Sequence, residues 1–239
     1  MSNERSAPTF QGMTLKGFTP PLKLSDFKLI AFDMDSTLIN IECIDEIADA
    51  AGRKAEVAAI TEAAMRGEIA DYKDSLRRRV ALLKGVTVAH MEEVLNHRLQ
   101  LNPGAENLVK ACQIAGMKVL LVSGGFTFFT DHVRDRLNIN WTRSNVLEVA
   151  HGELTGRMVD QAWGDICDGE EKRKMLLETC AQMGIQPTQA IAMGDGANDL
   201  PMMGVAGLSV AYHAKPKVRE QAMVAIEEGG LDRLLEVFN

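Results

Sequence analysis

A pair of carboxylates spaced two residues apart can serve phosphoryl chemistry if one strand delivers both to the same point. Asp33-Met34-Asp35-Ser36-Thr37 has that form and directly follows the apolar run Leu29-Ile30-Ala31-Phe32. Open parallel sheets bind ligands beyond the carboxyl ends of their strands, so a site belongs there. Two acids held together repel unless a cation lies between them. Magnesium suits that task, because it prefers oxygen ligands and keeps waters that phosphate oxygens can displace. Taken alone, the same pattern is equally a strand-to-loop turn with solvated acids. A calcium loop starting at Asp33 is excluded, because its sixth position is Leu38 instead of glycine and its twelfth is Ile44 instead of glutamate.

Three further patterns bear on the same chemistry. Val122-Ser123-Gly124-Gly125-Phe126 follows the run Lys118–Val122 and opens a helical pattern. Backbone amides and the serine hydroxyl there can hold a phosphate oxygen at a positive helix end, although Ser-Gly-Gly is also an ordinary turn. It is not a hydrolase nucleophile elbow, which needs glycine where Leu121 stands, and the chain contains no G-K-[ST] and hence no P-loop. Gly194-Asp195-Gly196-Ala197-Asn198-Asp199 closes the run Ala190–Met193. Its acids again sit at a strand's carboxyl end, and its glycines let backbone and ligand approach closely. Two acidic turns after two apolar strands converge on one sheet edge, which favours a metal site over two surface turns. Lys172 lies near the start of the helical pattern Glu170–Met183, beside Arg173 and Lys174. The pattern alone reads as a solvated helix face and does not single out one cation.

The elements that must position these residues alternate. Strand-like runs occupy Lys28–Phe32, Lys118–Val122, Ala190–Met193, Leu208–Ala211 and Met223–Ile226. Helical patterns cover Ala105–Ala115, stopped by Gly116, then Phe126–Leu137, Glu170–Met183, stopped by Gly184, and Leu231–Val237. Such alternation predicts a parallel sheet covered on both faces. From Ile44 to Asn102 the rhythm breaks: Ile44, Ile47, Ala48 and Ala51, then Leu76, Val80 and Leu83, then Met91, Val94 and Leu95 recur at helical spacing without a strand, until Pro103. Asn145–Met158, with Gly152 and Gly156, reads as a small hairpin. The expected fold class is α/β: a three-layer, Rossmann-like parallel-sheet core (residues 28–43 and 104–239), a helical cap (44–103) inserted after the first strand, and an N-terminal extension (1–27).

Composition narrows the partners. With 239 residues and a net charge of −7, the chain can bury a full core and has no strongly basic block beyond Arg77-Arg78-Arg79, which argues against nucleic acid. No apolar run approaches the ~20 residues of a membrane span. Cys43, Cys112, Cys167 and Cys180 form no C-x-x-C pair, so reduced thiols in a cytoplasmic protein are expected. Nothing in the sequence specifies an oligomeric state.

Taken in order, D-x-D-x-T, the strand-borne Ser123, a lysine and G-D-x-x-x-D resemble the haloacid dehalogenase superfamily of phosphotransferases from Lys28 to Asn239. Phe32–Asn40 with Glu42 and Ile44–Ala48, Ser75–Val80, Val122–Phe126 and Gly194–Asp199 are similar to its phosphoserine phosphatase family. The resemblance implies hydrolysis of O-phospho-L-serine, the last step of serine biosynthesis, through an aspartyl-phosphate. In that reading Asp33 is the nucleophile and Asp35 the general acid and base. Magnesium (Mg2+) is held by Asp33, Asp35 through its backbone carbonyl, and Asp195, with Asp199 in support. Ser123, Gly124 and Lys172 neutralise the phosphoryl oxygens, and Asn198 also binds the substrate; the family's lysine follows an Asp-x-x-x step, here Asp168-Gly169-Glu170-Glu171-Lys172, with Lys174 as the fallback. Glu42 takes the substrate ammonium and Arg79 its carboxylate. Two departures concern the cap: Tyr72 stands near where relatives commonly have phenylalanine beside the substrate, and Met65–Ser75 is one residue longer than usual. The roughly 27 residues before the first strand are too few for the regulatory domain of many bacterial relatives. The alternatives are a phosphatase of the same superfamily acting on another small phosphomonoester, or a phosphate- or metal-binding module without turnover.

Overall fold

A computed structural model describes residues 10–65, 68–69 and 71–239. Residues 1–9 of the extension, and 66, 67 and 70 of the lengthened segment, lie outside the described residues. Strands β1 (Met13–Leu15), β2 (Leu29–Phe32), β3 (Lys118–Phe126), β4 (Trp141–Ala150), β5 (Glu153–Val159), β6 (Ala190–Gly194), β7 (Leu208–Tyr212) and β8 (Val224–Ile226) form one sheet. Their order is β1-β8-β7-β6-β2-β3-β4-β5. All neighbours are parallel except the outermost pairs, β1 with β8 and β4 with β5. The helices are α1 (Cys43–Ala50), α2 (Lys54–Met65), α3 (Tyr72–Ala81), α4 (Val88–His97), α5 (Ala105–Ile114), α6 (Thr127–Leu137), α7 (Gly169–Met183), α8 (Leu200–Met203) and α9 (Pro216–Gln221).

The period-two geometry of a strand sorts the core into two layers. Ile30 and Phe32 of β2, Val119 and Leu121 of β3, and Ile191 and Met193 of β6 face one apolar cluster. Leu29 and Ala31, Leu120 and Val122, and Ala190 and Ala192 face the other. The second layer is lined by alanines, also including Ala211 and Ala225, and short side chains let Leu176 of α7 and Met202 of α8 lie close to the sheet. Each large apolar side chain fully buried here stabilises the fold by about 1.5–3 kcal/mol. A one-residue slip of β2 would reverse both faces, so its register is firmly held. In that register Phe32 lies opposite Leu121 on one side and Met193 on the other. Asp33, Ser123 and Asp195 therefore emerge at one edge.

Helices α1 to α4 lie in sequence between β2 and β3. On α1, Cys43, Ile44, Ile47 and Ala48 are buried along one face, as the helical spacing predicts. Asp71 caps α3 by accepting from Lys73 N at 3.1 Å, and Thr87 caps α4 with its partner His90. Arg98, just past α4, binds Glu46 of α1 at 2.8 Å as well as Asp49 and Glu93. Lys73 and Arg77 of α3 pair with Asp165, in the segment leading to α7.

Several expectations change. β3 runs on to Phe126 with a register break after Val122, so Ser123-Gly124-Gly125 is an irregular strand end and α6 starts at Thr127. The hairpin exists, but β4 begins at Trp141 and pairs parallel with β3 before it turns. Leu231–Val237 is a 3-10 helix. Part of the N-terminal extension, β1, joins the sheet against β8, and α8 and α9 were not foreseen.

Candidate active site

Asp33 directly follows β2, and its N–H donates to Met193 O of β6 at 3.0 Å. Its side chain accepts from Met34 N at 2.7 Å and from Lys172 Nζ at 2.8 Å. Lys172 lies in the first turn of α7, whose N-cap Asp168 accepts from Glu171 N at 2.9 Å. It is 0% exposed and also binds Asp199 Oδ1 at 2.7 Å. The fallback Lys174 instead spans Glu171 and Glu178 on the outer face, at 3.7 and 3.8 Å. The other oxygen of Asp199 accepts from the N–H of Asp195 at 3.1 Å and of Gly196 at 2.9 Å, which clamps the loop after β6. A methyl group at position 194 would collide with the Asp199 carboxylate, so this loop needs its glycine.

Asp195 accepts from Thr37 Oγ1 at 3.2 Å. Carboxylate oxygens of Asp33, Asp195 and Asp199 all lie within 4.8 Å of one another. Burial pushes Asp33 well above the usual carboxylate range; the Asp199 charge adds to this, Lys172 opposes it, and Asp195 adds further. Burial, then Asp199 and Glu42, push Asp195 up to about 6. Burial disfavours the Lys172 charge, but Asp199 and Asp33 outweigh it and hold its pKa well above the ordinary lysine value. One buried ammonium thus faces three carboxylates. Hard oxygen donors with excess negative charge fit a divalent cation such as magnesium.

Asp35 reaches the same edge through a tight turn. Ser36 sits in the left-handed region at φ 56°, which costs an ordinary residue about 1–2 kcal/mol. The turn is held by Ser36 N donating to Ile41 O at 3.1 Å and Ser36 Oγ donating to Glu42 Oε1 at 2.6 Å. Asp35 Oδ2 accepts from Cys43 N at 3.2 Å, while its Oδ1 is buried with no hydrogen-bond partner among the described residues. Burial and then the Glu42 charge push its pKa up to about 7.

Beside it, Ser123 is fully buried and its Oγ accepts from Gly125 N at 2.9 Å. Asn145 of β4, which the sequence reading passed over, donates to Gly124 O at 2.8 Å and accepts from Cys167 N at 2.8 Å. It ties the Ser-Gly-Gly segment to the chain entering α7. Its only sequence signal is an amide within a strand pattern. Thr37, which holds Asp195, and Cys43, whose amide holds Asp35, were likewise missed as positioning groups. Asn198 is half-buried in the turn Ala197–Asp199, between the two acids of its loop.

Across the edge stand α1 and α3. Glu42 is exposed and precedes α1. The three arginines of the basic run separate: Arg77 pairs with Asp165, Arg78 with Asp74 at 2.8 Å, and Arg79 Nε is buried without a partner among the described residues. Asp45 Oδ1 is also buried and has no partner among the described residues. Burial raises the pKa of Asp45, and the Arg79 charge opposes that rise.

With this geometry in hand, the resemblance to known proteins is close. The "haloacid dehalogenase-like hydrolase" family model matches residues 27–207. A phosphoserine phosphatase of Polaromonas sp. (strain JS666 / ATCC BAA-500) is 81% identical over 226 residues, 95% of this chain and 96% of the relative. That of Haemophilus influenzae is 45% identical over 91% of this chain and 67% of its own. A solved phospho-aspartyl intermediate analogue of phosphoserine phosphatase superposes with a TM-score of 0.81 at 38% identity, over 89% of this chain and 99% of that one. Fold, edge-borne carboxylates and close relatives agree: the chain belongs to the haloacid dehalogenase-like hydrolases, within their phosphoserine phosphatase family.

Proposed function

We propose that this chain hydrolyses O-phospho-L-serine to L-serine and phosphate through an aspartyl-phosphate on Asp33, with magnesium as cofactor. The observation that carries the reading is the pairing of buried Asp33 with Lys172 at 2.8 Å beside Asp195 and Asp199, opposite the unpartnered Arg79 Nε.

In the first step an Asp33 oxygen attacks phosphorus and the bond from phosphorus to the seryl oxygen breaks. Asp35, protonated, gives its proton to the departing oxygen. In the second step Asp35 takes a proton from water, the water oxygen attacks the phosphoryl group, and the Asp33 carboxylate is released with phosphate. Ser123 Oγ, the Gly124 amide and Lys172 Nζ hold the phosphoryl oxygens, with Asn198 beside them. Asp33, Asp195 and the Asp35 backbone carbonyl would hold magnesium, which neutralises phosphoryl charge when bound. Asp199 keeps Lys172 and the loop of Asp195 in place.

Helices α1 to α4, in the cap of residues 44–103, select the substrate over the core of 28–43 and 104–239. Glu42 takes the ammonium, and Arg79 binds the carboxylate through two parallel hydrogen bonds. The buried, unpaired thiols of all four cysteines accord with a cytoplasmic setting. No described helix is long and apolar enough to cross a membrane.

The test is phosphate release from L-phosphoserine with magnesium, beside phosphothreonine, phosphoethanolamine and a sugar phosphate, for wild type and Asp33→Asn. A strong preference for phosphoserine, abolished in the variant and by chelation of the metal, is expected. Equal rates for wild type and variant would overturn the mechanism, and preference for another phosphate would overturn the assignment of Glu42 and Arg79.

A further inference from the structure

The reaction above assigns no work to the phenol of Tyr72. This residue opens α3, where the Asp71 cap fixes the start of the helix. Its ring packs on the margin of the larger apolar cluster, as a phenylalanine would. Its hydroxyl goes further and crosses to the sheet side. A methyl group at Gly124 would collide with Tyr72 Oη and meet Cζ at 3.3 Å. Position 124 thus has to lack a side chain for the phenol to rest there, next to the amide that the proposed reaction aims at phosphate.

The hydroxyl makes no hydrogen bond to a described residue. Burial is the main reason its pKa lies far above the ordinary tyrosine value; Lys172 and Arg79 oppose that rise, and Asp33 adds to it. The phenol therefore remains a neutral O–H donor throughout the working pH range, within the field of Asp33 and Lys172. No described residue accepts its proton, and the group expected on Gly124 is rich in acceptors. Tyr72 and Arg79 are also seven residues apart on one helix. That is close to two turns, which puts them on the same face about 10 Å apart along the axis. One face of α3 thus presents a hydroxyl near the phosphate-binding turn and a guanidinium two turns away.

We propose that Tyr72 Oη donates a hydrogen bond to a phosphoryl oxygen of the bound substrate, so that α3 reads the phosphate as well as the carboxylate. This assignment rests on the reading of Ser123 and Gly124 as phosphate-holding groups. Tyr72 then binds the substrate directly, and phenylalanine cannot replace it without loss.

The test is Tyr72→Phe, which keeps the ring and its packing. Turnover of phosphoserine by the wild type is established first, so failure there counts against the parent reading and not against Tyr72. With an active wild type, the variant is expected to lose about tenfold in kcat/KM, as for a hydrogen bond to a charged group. Inhibition by inorganic phosphate, the direct probe of this contact, should weaken by a similar factor, while product inhibition by L-serine and Tm stay unchanged. Phosphate inhibition and kcat/KM both within about twofold of wild type would overturn the proposal. Weakened inhibition by L-serine with phosphate unaffected would overturn it too, by assigning the hydroxyl to the amino-acid end.

Discussion

On the sheet side of the site, Asp33, Lys172, Asp199, Asp195 and Thr37 are joined to one another or to the backbone by contacts of 2.7 to 3.2 Å. On the helical side, Arg79 Nε and Asp45 Oδ1 are buried without partners among the described residues, and Glu42 stands exposed. The contacts of the first wall are in place before any ligand arrives, apart from the unpaired Asp35 Oδ1 among the described residues. The second carries unmet hydrogen-bonding capacity, and a buried polar group left unsatisfied costs about 1–3 kcal/mol. Phosphoryl transfer depends on charges already fixed where the transition state will develop, so the reacting end is best built into the rigid sheet. Recognition gains from groups whose hydrogen bonds form only with the right ligand. The two walls divide the work between rate and selectivity.

Variants of the two walls should accordingly fail in different ways. The largest effect is expected for Lys172→Met, which leaves Asp33 and Asp199 buried and uncompensated. It should cost about 3–5 kcal/mol of stability, read by denaturant unfolding, and lower kcat by about 10^2–10^3-fold. Unchanged stability would mean that the sheet-side wall is not held together by this ammonium. Next comes Asp195→Asn, expected to raise the magnesium concentration for half-maximal activity by at least about tenfold, with saturating magnesium restoring part of the rate. A magnesium titration that superposes on the wild type would remove Asp195 from the metal site.

Arg79→Ala tests the other wall. KM for phosphoserine should rise by about 10–100-fold, and kcat should change less. A fall in kcat without a change in KM would erase the distinction between the walls. The smallest effect concerns Arg98, which joins α4 to α1. Its hydrogen bond to Asp49 holds that carboxyl below the usual carboxylate range, and Lys54 adds to the effect. A depressed folded-state pKa contributes stability that is present above the unfolded value and lost as pH falls through the folded one. Arg98→Ala should therefore lower Tm at neutral pH, with the difference from wild type shrinking below about pH 4. A gap independent of pH would assign Arg98 to packing alone.

The sequence by itself determined what depends on neighbours along the chain. Asp33 and Asp35 after an apolar strand, the Gly-Asp loop after another, and the helical stretch from Ile44 to Asn102 were legible because strand ends, turns and periodicity are local properties. Only the tertiary structure decided which member of a crowded run faces the site. Lys172 rather than Lys174 meets Asp33, because the rotation of α7 against the sheet turns one lysine inward. Of Arg77, Arg78 and Arg79, the first two pair with acids on the surface, while Arg79 lies in the field of Asp45 with its Nε unpaired among the described residues. Asn145 lies 21 residues from Gly124, and no local pattern ties the two together. The meeting of Tyr72 with Gly124 and the pairing of β1 with β8 were equally hidden, since both join segments far apart in the chain. Side-chain chemistry and spacing specify what a segment can do, but the packing of separate elements selects the partner it does it with.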